Sequence, residues 1–147
     1  MILYLDTSAL VKRYFRELFS DELLATWRSA DQIVTSFVAY AEAMASIQRK
    51  KREAGLPDAL LREIVDSFHR DWESFIRVEV NDELNGYIDQ VVEGYPLRGF
   101  DAIHLASAMV VQERLPDRFV FACFDDRLAQ AAHAEGLKTF PPMDEAG

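Results

Sequence analysis

Two stretches of the chain share one pattern: residues 2–8 read ILYLDTS, and residues 119–126 read FVFACFDD. Each is an apolar run that ends at an aspartate, Asp6 in the first and Asp125 in the second, and then passes into residues with helical spacing. Such a run predicts a buried strand of a parallel sheet. Ligands of open parallel sheets bind at the carboxyl ends of the strands. The pattern therefore predicts an α/β fold with two aspartates at the edge where a site is expected.

The rest of the chain alternates short apolar runs with helical segments. The predicted strands are Ile2–Leu5, Gln32–Thr35, Arg77–Val80, Phe119–Phe124 and Leu137–Phe140. The predicted helices are Ser8–Phe15, Ser20–Ser29 with Ser20 as N-cap, Phe37–Ala54, Pro57–Phe75, a helix capped by Asn81, Asp101–Glu113 and Asp126–Ala134. This alternation predicts a parallel sheet with helices on both faces and right-handed crossovers. No repeat or linker divides the chain, so we expect a single domain over residues 1–147.

Composition narrows the class of protein. The 147 residues are 50% hydrophobic and 28% charged, which suits a folded domain with a core. The N-terminus lacks the features of a signal peptide, no stretch approaches the length of a membrane span, and one cysteine cannot form an internal disulfide. We therefore expect a cytoplasmic protein that does not enter a membrane. The formal net charge of −9 argues against wrapping nucleic acid through bulk positive potential.

A third carboxylate, Asp101, begins the segment DAIHLASAMVV, which is apolar on nearly every side and is predicted to be a buried helix. The helix dipole and free N–H groups make an anion in the first turn tolerable. Asp101 is thus either an N-cap or a metal ligand. His104 lies one turn further on, where it can hydrogen-bond Asp101. We interpret it as a core residue and leave it out of the catalytic set.

A fourth carboxylate, Glu42, lies in a helical stretch of small residues that would let helix and sheet approach closely. At 100° per residue it falls beside an apolar arc formed by Phe37, Val38, Ala41, Met44 and Ala45. A glutamate at the border of a packed face is able to reach into a cleft. It is also compatible with a position at the rim of the core.

The four carboxylates are suited to one task, the binding of divalent metal ions. They are Asp6, Glu42, Asp101 and Asp125. Hard divalent ions such as Mg²⁺ prefer carboxylate oxygens. Phosphodiester hydrolysis needs an acidified water, neutralised phosphate charge and a stabilised leaving oxygen, all of which bound metal ions supply. Thr7 and Ser8 are candidates to support Asp6 or to cap the first helix. Asp126 competes with Asp125, which we favour because it directly ends the strand.

These residues give the chain a resemblance to the PIN-domain family, and specifically to the VapC-type toxins of toxin–antitoxin pairs. The similarity lies in LDTSALVK at 5–12, in Ala41-Glu42, in FDAIHLA at 100–106 and in FDDRLAQAA at 124–132. The order of the motifs and the length of the chain agree, so the resemblance covers nearly the whole sequence.

The resemblance implies a PIN-like α/β/α sandwich with a short central parallel sheet and a Mg²⁺- or Mn²⁺-dependent endoribonuclease activity. It assigns Asp6, Glu42, Asp101 and Asp125 to the acidic metal-binding and catalytic site, with Ser8 supporting. It also implies a homodimer and a cognate antitoxin that inserts a segment, often with an arginine, into the acidic cleft. An arginine can replace a metal as countercharge.

Three alternatives stay open at this point. A haloacid-dehalogenase-like phosphohydrolase also starts with a strand ending in Asp, but it requires a second Asp where this chain has Ser8. A receiver-type regulatory domain requires an acidic pair near the first strand and a phosphorylatable Asp on a middle strand, and this chain provides neither. A catalytically inert PIN-like domain that binds a partner would be expected to lack at least one of the four acidic residues, and this chain has all four.

Contacts to RNA are expected at two basic runs. Arg49–Arg52 is one, and Lys12, Arg13 and Arg16 form the other. Both are equally compatible with solvated helix faces.

Overall fold

The computed structural model describes residues 1–143, which alternate strands and helices. The strands are β1 (Ile2–Leu5), β2 (Gln32–Ser36), β3 (Ile76–Val78), β4 (Phe119–Ala122) and β5 (Thr139–Phe140). The helices are α1 (Thr7–Leu10), α2 (Ser20–Ser29), α3 (Val38–Ala54), α4 (Asp58–Ser74), α5 (Asp82–Gly94), α6 (Gly99–Arg114) and α7 (Asp126–Ala134). The predicted α/β class is confirmed.

The five strands form one parallel sheet in the order β3-β2-β1-β4-β5. From β1 the chain moves outward through β2 and β3, then returns to the other side of β1 and continues through β4 to β5. The direction of travel thus reverses between β1 and β4. In open parallel sheets this switch point is where the loops part and leave a crevice at the carboxyl edge.

Side chains of β1 alternate between two cores, as the two-residue period of a strand requires. Ile2 and Tyr4 pack with apolar residues of α5, α6 and α7 on one face. Leu3 and Leu5 pack with residues of α1 to α4 on the other face. The predicted three-layer α/β/α arrangement is therefore confirmed, with β1 buried at its centre.

Two local predictions near the N-terminus are wrong. The expected helix Ser8–Phe15 is instead the short α1 followed by a 3₁₀ turn at Val11–Arg13. Ser20 is not an N-cap, because its hydroxyl is used in the loop, where it accepts from the Glu17 N–H and donates to the Lys12 and Phe15 carbonyls. The N-cap position of α2 is Phe19, which has a left-handed backbone (φ 71°).

Other boundaries agree within a few residues. Asn81 caps α5 by accepting from the Leu84 N–H, and Gly55 ends α3 in a left-handed conformation with φ 64°. β4 ends at Ala122, two residues before the predicted limit. None of the helices within residues 1–143 combines the length and apolar character that a bilayer crossing requires.

Candidate active site

The carboxyl ends of β1 and β4 bring the two strand-terminal aspartates to the same edge. The strands pair in register, with Leu5 opposite Ala122, and the Asp6 N–H donates to the Ala122 carbonyl at 3.2 Å. Asp6 caps α1 and Asp125 caps α7, where its carboxylate accepts from the Leu128 N–H at 3.0 Å. Both aspartates therefore sit beside the switch point, as the strand-end pattern indicated.

Asp6 is almost completely buried, with 4% of its surface exposed. Its Oδ1 accepts from the Ser8 hydroxyl at 2.7 Å and from the Ala9 N–H at 3.0 Å. Burial raises the pKa of Asp6, and the attraction of His104 and these hydrogen bonds offset only part of that effect. A cation beside this carboxylate would relieve the cost of keeping it charged.

Ser8 links the ends of the two central strands. It donates to Asp6, as above, and accepts from the Phe124 N–H at 2.9 Å. The hydroxyl thus holds the β1 carboxylate next to the loop that carries Asp125. These two hydrogen bonds are consistent with the prediction that Ser8 supports Asp6. That role remains a prediction.

Glu42 is half-buried and is held by two side chains. The Thr7 hydroxyl donates to its Oε1 at 2.7 Å, and His104 Nε2 lies 2.8 Å from the same oxygen. Burial on its own would raise the pKa of Glu42, but the bonds and charge of His104 together with the Thr7 bond outweigh it, so that the pKa lies below its usual value. Glu42 is therefore favoured as an anion of fixed orientation.

The face of α3 that brings Glu42 to this position differs from the predicted one. The buried residues are Ala39, Ala43 and Ile47, whereas Phe37 and Ala41 are exposed. The expected arc was wrong because the face that packs inward is formed by Ala39, Ala43 and Ile47, and the small side chains of the two alanines let the helix approach the core closely.

His104 contacts a proposed site residue in a way that was not predicted from the sequence. It is buried, and its Nδ1 lies 2.9 Å from the Tyr4 hydroxyl while Nε2 reaches Glu42. A proton on Nε2 lets the imidazole donate to Glu42, while Nδ1 pairs with the Tyr4 hydroxyl. It is a core residue, as expected, but its partners are Tyr4, Thr7 and Glu42 rather than Asp101. The signal was its spacing, three residues after Asp101 on an apolar helix.

Asp101 and Asp125 line the same open cleft of ≈ 300 Å³, together with Asp126, Arg127, Arg98 and Pro96. Burial raises the pKa of Asp101, and repulsion from Asp125 and Glu42 adds to it, while attraction by His104 and Arg98 opposes it. Asp126 is the exposed first residue of α7, as expected. It too faces the cleft, so its competition with Asp125 stays open.

The donor chemistry fits a hard divalent cation. All four predicted ligands offer carboxylate oxygens, and burial raises the pKa of two of them, Asp6 and Asp101. Within residues 1–143, no three His, Cys, Asp or Glu side chains stand close enough to hold an ion between them. Mg²⁺ keeps several waters and can be bound by one or two carboxylates together with substrate phosphates.

The predicted RNA-contacting cations are largely engaged with carboxylates. Lys12 and Lys50 both bind Glu17, and Arg13 binds Asp71 at 2.7 Å. Arg16 and Lys51 also have acidic partners, Asp21 and Asp58. The prediction that these runs contact RNA has gained no support from the geometry.

Comparisons with known proteins agree on one family. The model of the PIN domain matches residues 3–134. Ribonuclease VapC45 of Mycobacterium tuberculosis (strain CDC 1551 / Oshkosh) is 34% identical over 144 residues, which cover 95% of each chain.

Two solved structures have the same fold. The crystal structure of FitAcB from Neisseria gonorrhoeae superposes with a TM-score of 0.65 at 16% identity, covering 95% of this chain and 96% of that one. A toxin–antitoxin complex from Klebsiella pneumoniae gives a TM-score of 0.61 at 16% identity, covering 85% and 88%.

Proposed function

This chain belongs to the PIN-domain family, and we propose that it is a metal-dependent endoribonuclease, the toxin of a toxin–antitoxin pair. The observation that carries the proposal is that Asp6 and Asp125 follow the neighbouring strands β1 and β4 at the switch point, where Asp125 and Asp101 line one cleft. The name of the 34%-identical relative, a ribonuclease, supports the same activity. Membership of this family leaves no place for the dehalogenase-like or receiver interpretations.

Asp6, Glu42, Asp101 and Asp125 are the proposed ligands of the metal, Mg²⁺ or Mn²⁺. Some of them would bind it through water, because no three His, Cys, Asp or Glu side chains of residues 1–143 stand close enough to hold an ion together. When bound, the ion supplies an acidified water and charge neutralisation at the phosphate. The chain's own residues prepare the site: His104 and Thr7 orient Glu42, and Ser8 orients Asp6. Both bonds to Glu42 use Oε1, which leaves Oε2 for the cation.

The proposed partners are an RNA substrate, a cognate antitoxin and a second copy of the chain. The antitoxin proposal is supported by the Klebsiella pneumoniae neighbour, which is a toxin–antitoxin complex. The acidic cleft would accept a basic segment of such a partner. We place the activity in the cytoplasm, and we retain the prediction that residues 1–147 form one domain.

The experiment is cleavage of a mixed RNA pool by antitoxin-free protein in Mg²⁺, Mn²⁺ or EDTA. The proposal expects cutting with either metal and none in EDTA. Cleavage that is undiminished in EDTA would contradict the metal requirement. A folded protein that cuts no RNA under any condition would favour the catalytically inert PIN-like domain.

A further inference from the structure

We propose that Arg98 and Arg127 bind a phosphate group of the RNA strand beside the carboxylate cleft. The inference rests on the ribonuclease function proposed above and names two substrate-binding residues for it. Neither residue belongs to the basic runs that the sequence pointed to.

The two arginines face the proposed catalytic carboxylates. Arg98 and Arg127 line the ≈ 300 Å³ cleft on which Asp101 and Asp125 also lie. They come from different helices, Arg98 from the start of α6 and Arg127 from the start of α7. An RNA strand reaching the carboxylates through this cleft therefore comes close to both arginines.

Their charges are available to a ligand. Within the described part of the chain, neither arginine forms an ion pair with a carboxylate, whereas Lys12, Arg13 and Lys50 each do. Arg98 and Arg127 are also exposed to solvent. Among the described residues, no ion pair of these arginines has to break when a phosphate binds, and Arg98 contributes only longer-range attraction to Asp101.

Helix stability does not account for these positions. Arg98 is the N-cap of α6, where its side chain has no oxygen to accept the hydrogen bond of a cap. Arg127 is the second residue of α7. Cations at the amino end of a helix are opposed by the helix dipole. Both arginines therefore occupy places that are unfavourable for folding and favourable for an anion.

The overall charge of the chain favours local positive charge at the site. With a formal net charge of −9, the protein as a whole repels a polyanion, so attraction must come from positive charge at the site itself. Arginine presents planar N–H donors that match two phosphate oxygens at once. A pair at the mouth of the cleft would hold a phosphate next to the one that is cut.

The test measures binding of a fluorescently labelled, mixed-sequence single-stranded RNA pool by anisotropy in EDTA, over a range of KCl concentrations. We expect R98A and R127A each to weaken binding roughly tenfold, the effect of removing one charged hydrogen-bonded interaction. The slope of log affinity against log salt should fall by about 0.7 for each phosphate that the variant no longer neutralises. R98K and R127K should keep the slope and lose part of the affinity, because the charge remains without the planar fork.

Two matched variants change the net charge equally elsewhere. Arg62→Ala removes an exposed arginine of α4, and Arg52→Ala removes one from the basic run of α3. Neither should alter the salt slope by as much as R98A or R127A. Circular dichroism establishes that every variant is folded.

The outcomes separate this inference from the proposed function. If the wild-type protein cuts RNA but R98A and R127A bind with unchanged affinity and slope, the arginine pair is refuted and the ribonuclease stands. A larger loss in Arg52→Ala than in R98A would place the phosphate-binding site on α3 and also refute the pair. If the wild-type protein neither binds nor cuts the pool, both proposals fail together.

Discussion

His104 Nε2 lies 2.8 Å from Glu42 Oε1, and this contact joins the helices from opposite faces of the sheet at the carboxylate edge. The same imidazole contacts Tyr4 of the central strand through Nδ1. The orientation of a proposed metal ligand thus depends on a buried residue that does not itself reach the cleft.

Replacing His104 by Ala should lower cleavage by displacing Glu42, and should destabilise the fold. The Tyr4 hydroxyl would be left without this partner inside the core, at a cost of about 1–3 kcal/mol. H104Q can still donate to Glu42 from its side-chain amide, so it should recover part of kcat while H104A does not. Steady-state cleavage and urea unfolding measure the two effects.

Tyr4→Phe is the control, because it removes the hydroxyl but leaves the His104–Glu42 contact. If Y4F reduces kcat as much as H104A, then His104 acts through the stability of the core and not through Glu42.

Removal of the Ser8 hydroxyl should loosen the connection between Asp6 and the β4 loop. Ser8→Ala loses a donor to a buried carboxylate and an acceptor for the Phe124 N–H. We expect a loss of about 1–3 kcal/mol in the free energy of unfolding. Ser29→Ala, an exposed serine at the end of α2, should cost far less. Equal losses in the two variants would remove Ser8 from the account of the site.

Close packing of α3 should matter for activity. Ala43→Leu places a larger side chain at a fully buried position and should cost about 1–3 kcal/mol by overpacking. It should also reduce cleavage, because Glu42 is the adjacent residue. Ala45→Leu on the exposed side of the same helix is the matched control. Unfolding and cleavage that are unchanged in A43L would show that the helix is free to shift.

Acid should weaken the interaction of Glu17 with its two lysines. The hydrogen bond from Lys50 lowers the pKa of Glu17, and Lys12 acts in the same direction against the effect of burial. A lowered folded pKa means that the stabilisation is complete above the ordinary value of 4.5 and is lost as the pH falls through the folded pKa.

The measurement is urea unfolding of the wild-type protein and Glu17→Gln between pH 7 and pH 3. The difference in unfolding free energy should be at most about 1 kcal/mol at pH 7 and should shrink towards pH 3. Glu53→Gln, an exposed residue of α3, should show no such trend. A difference that grows on acidification would have the wrong sign for this account.

The strand-end aspartates could be predicted because their position depends on local pattern. An apolar run followed by Asp marks the edge of a parallel sheet, whatever the rest of the chain does. The position of Asp101 could be predicted in a similar way, because it lies at the start of an apolar helix. The fold class needed only the alternation of strands and helices.

The contacts of Glu42 and His104 could not be predicted in this way. They lie 62 positions apart in the chain, and their contact depends on which face of α3 packs inward. Ala39, Ala43 and Ile47 form that face, and the period of an amphipathic helix does not distinguish the two alanines from the apolar residues on neighbouring faces. The role of Ser20 was missed for a related reason, since loop carbonyls compete for the hydroxyl that would otherwise cap the helix.

The central claim is that carboxylates at the β1–β4 switch point cut RNA, and Asp101→Asn tests it most directly. Asp89→Asn, which removes an exposed carboxylate of α5 that does not line the cleft, is the matched control. Cleavage of an RNA pool in Mn²⁺ by folded protein should be abolished in D101N and largely kept in D89N. Full cleavage by D101N would contradict the account, because the acidic site would then not be where the reaction occurs.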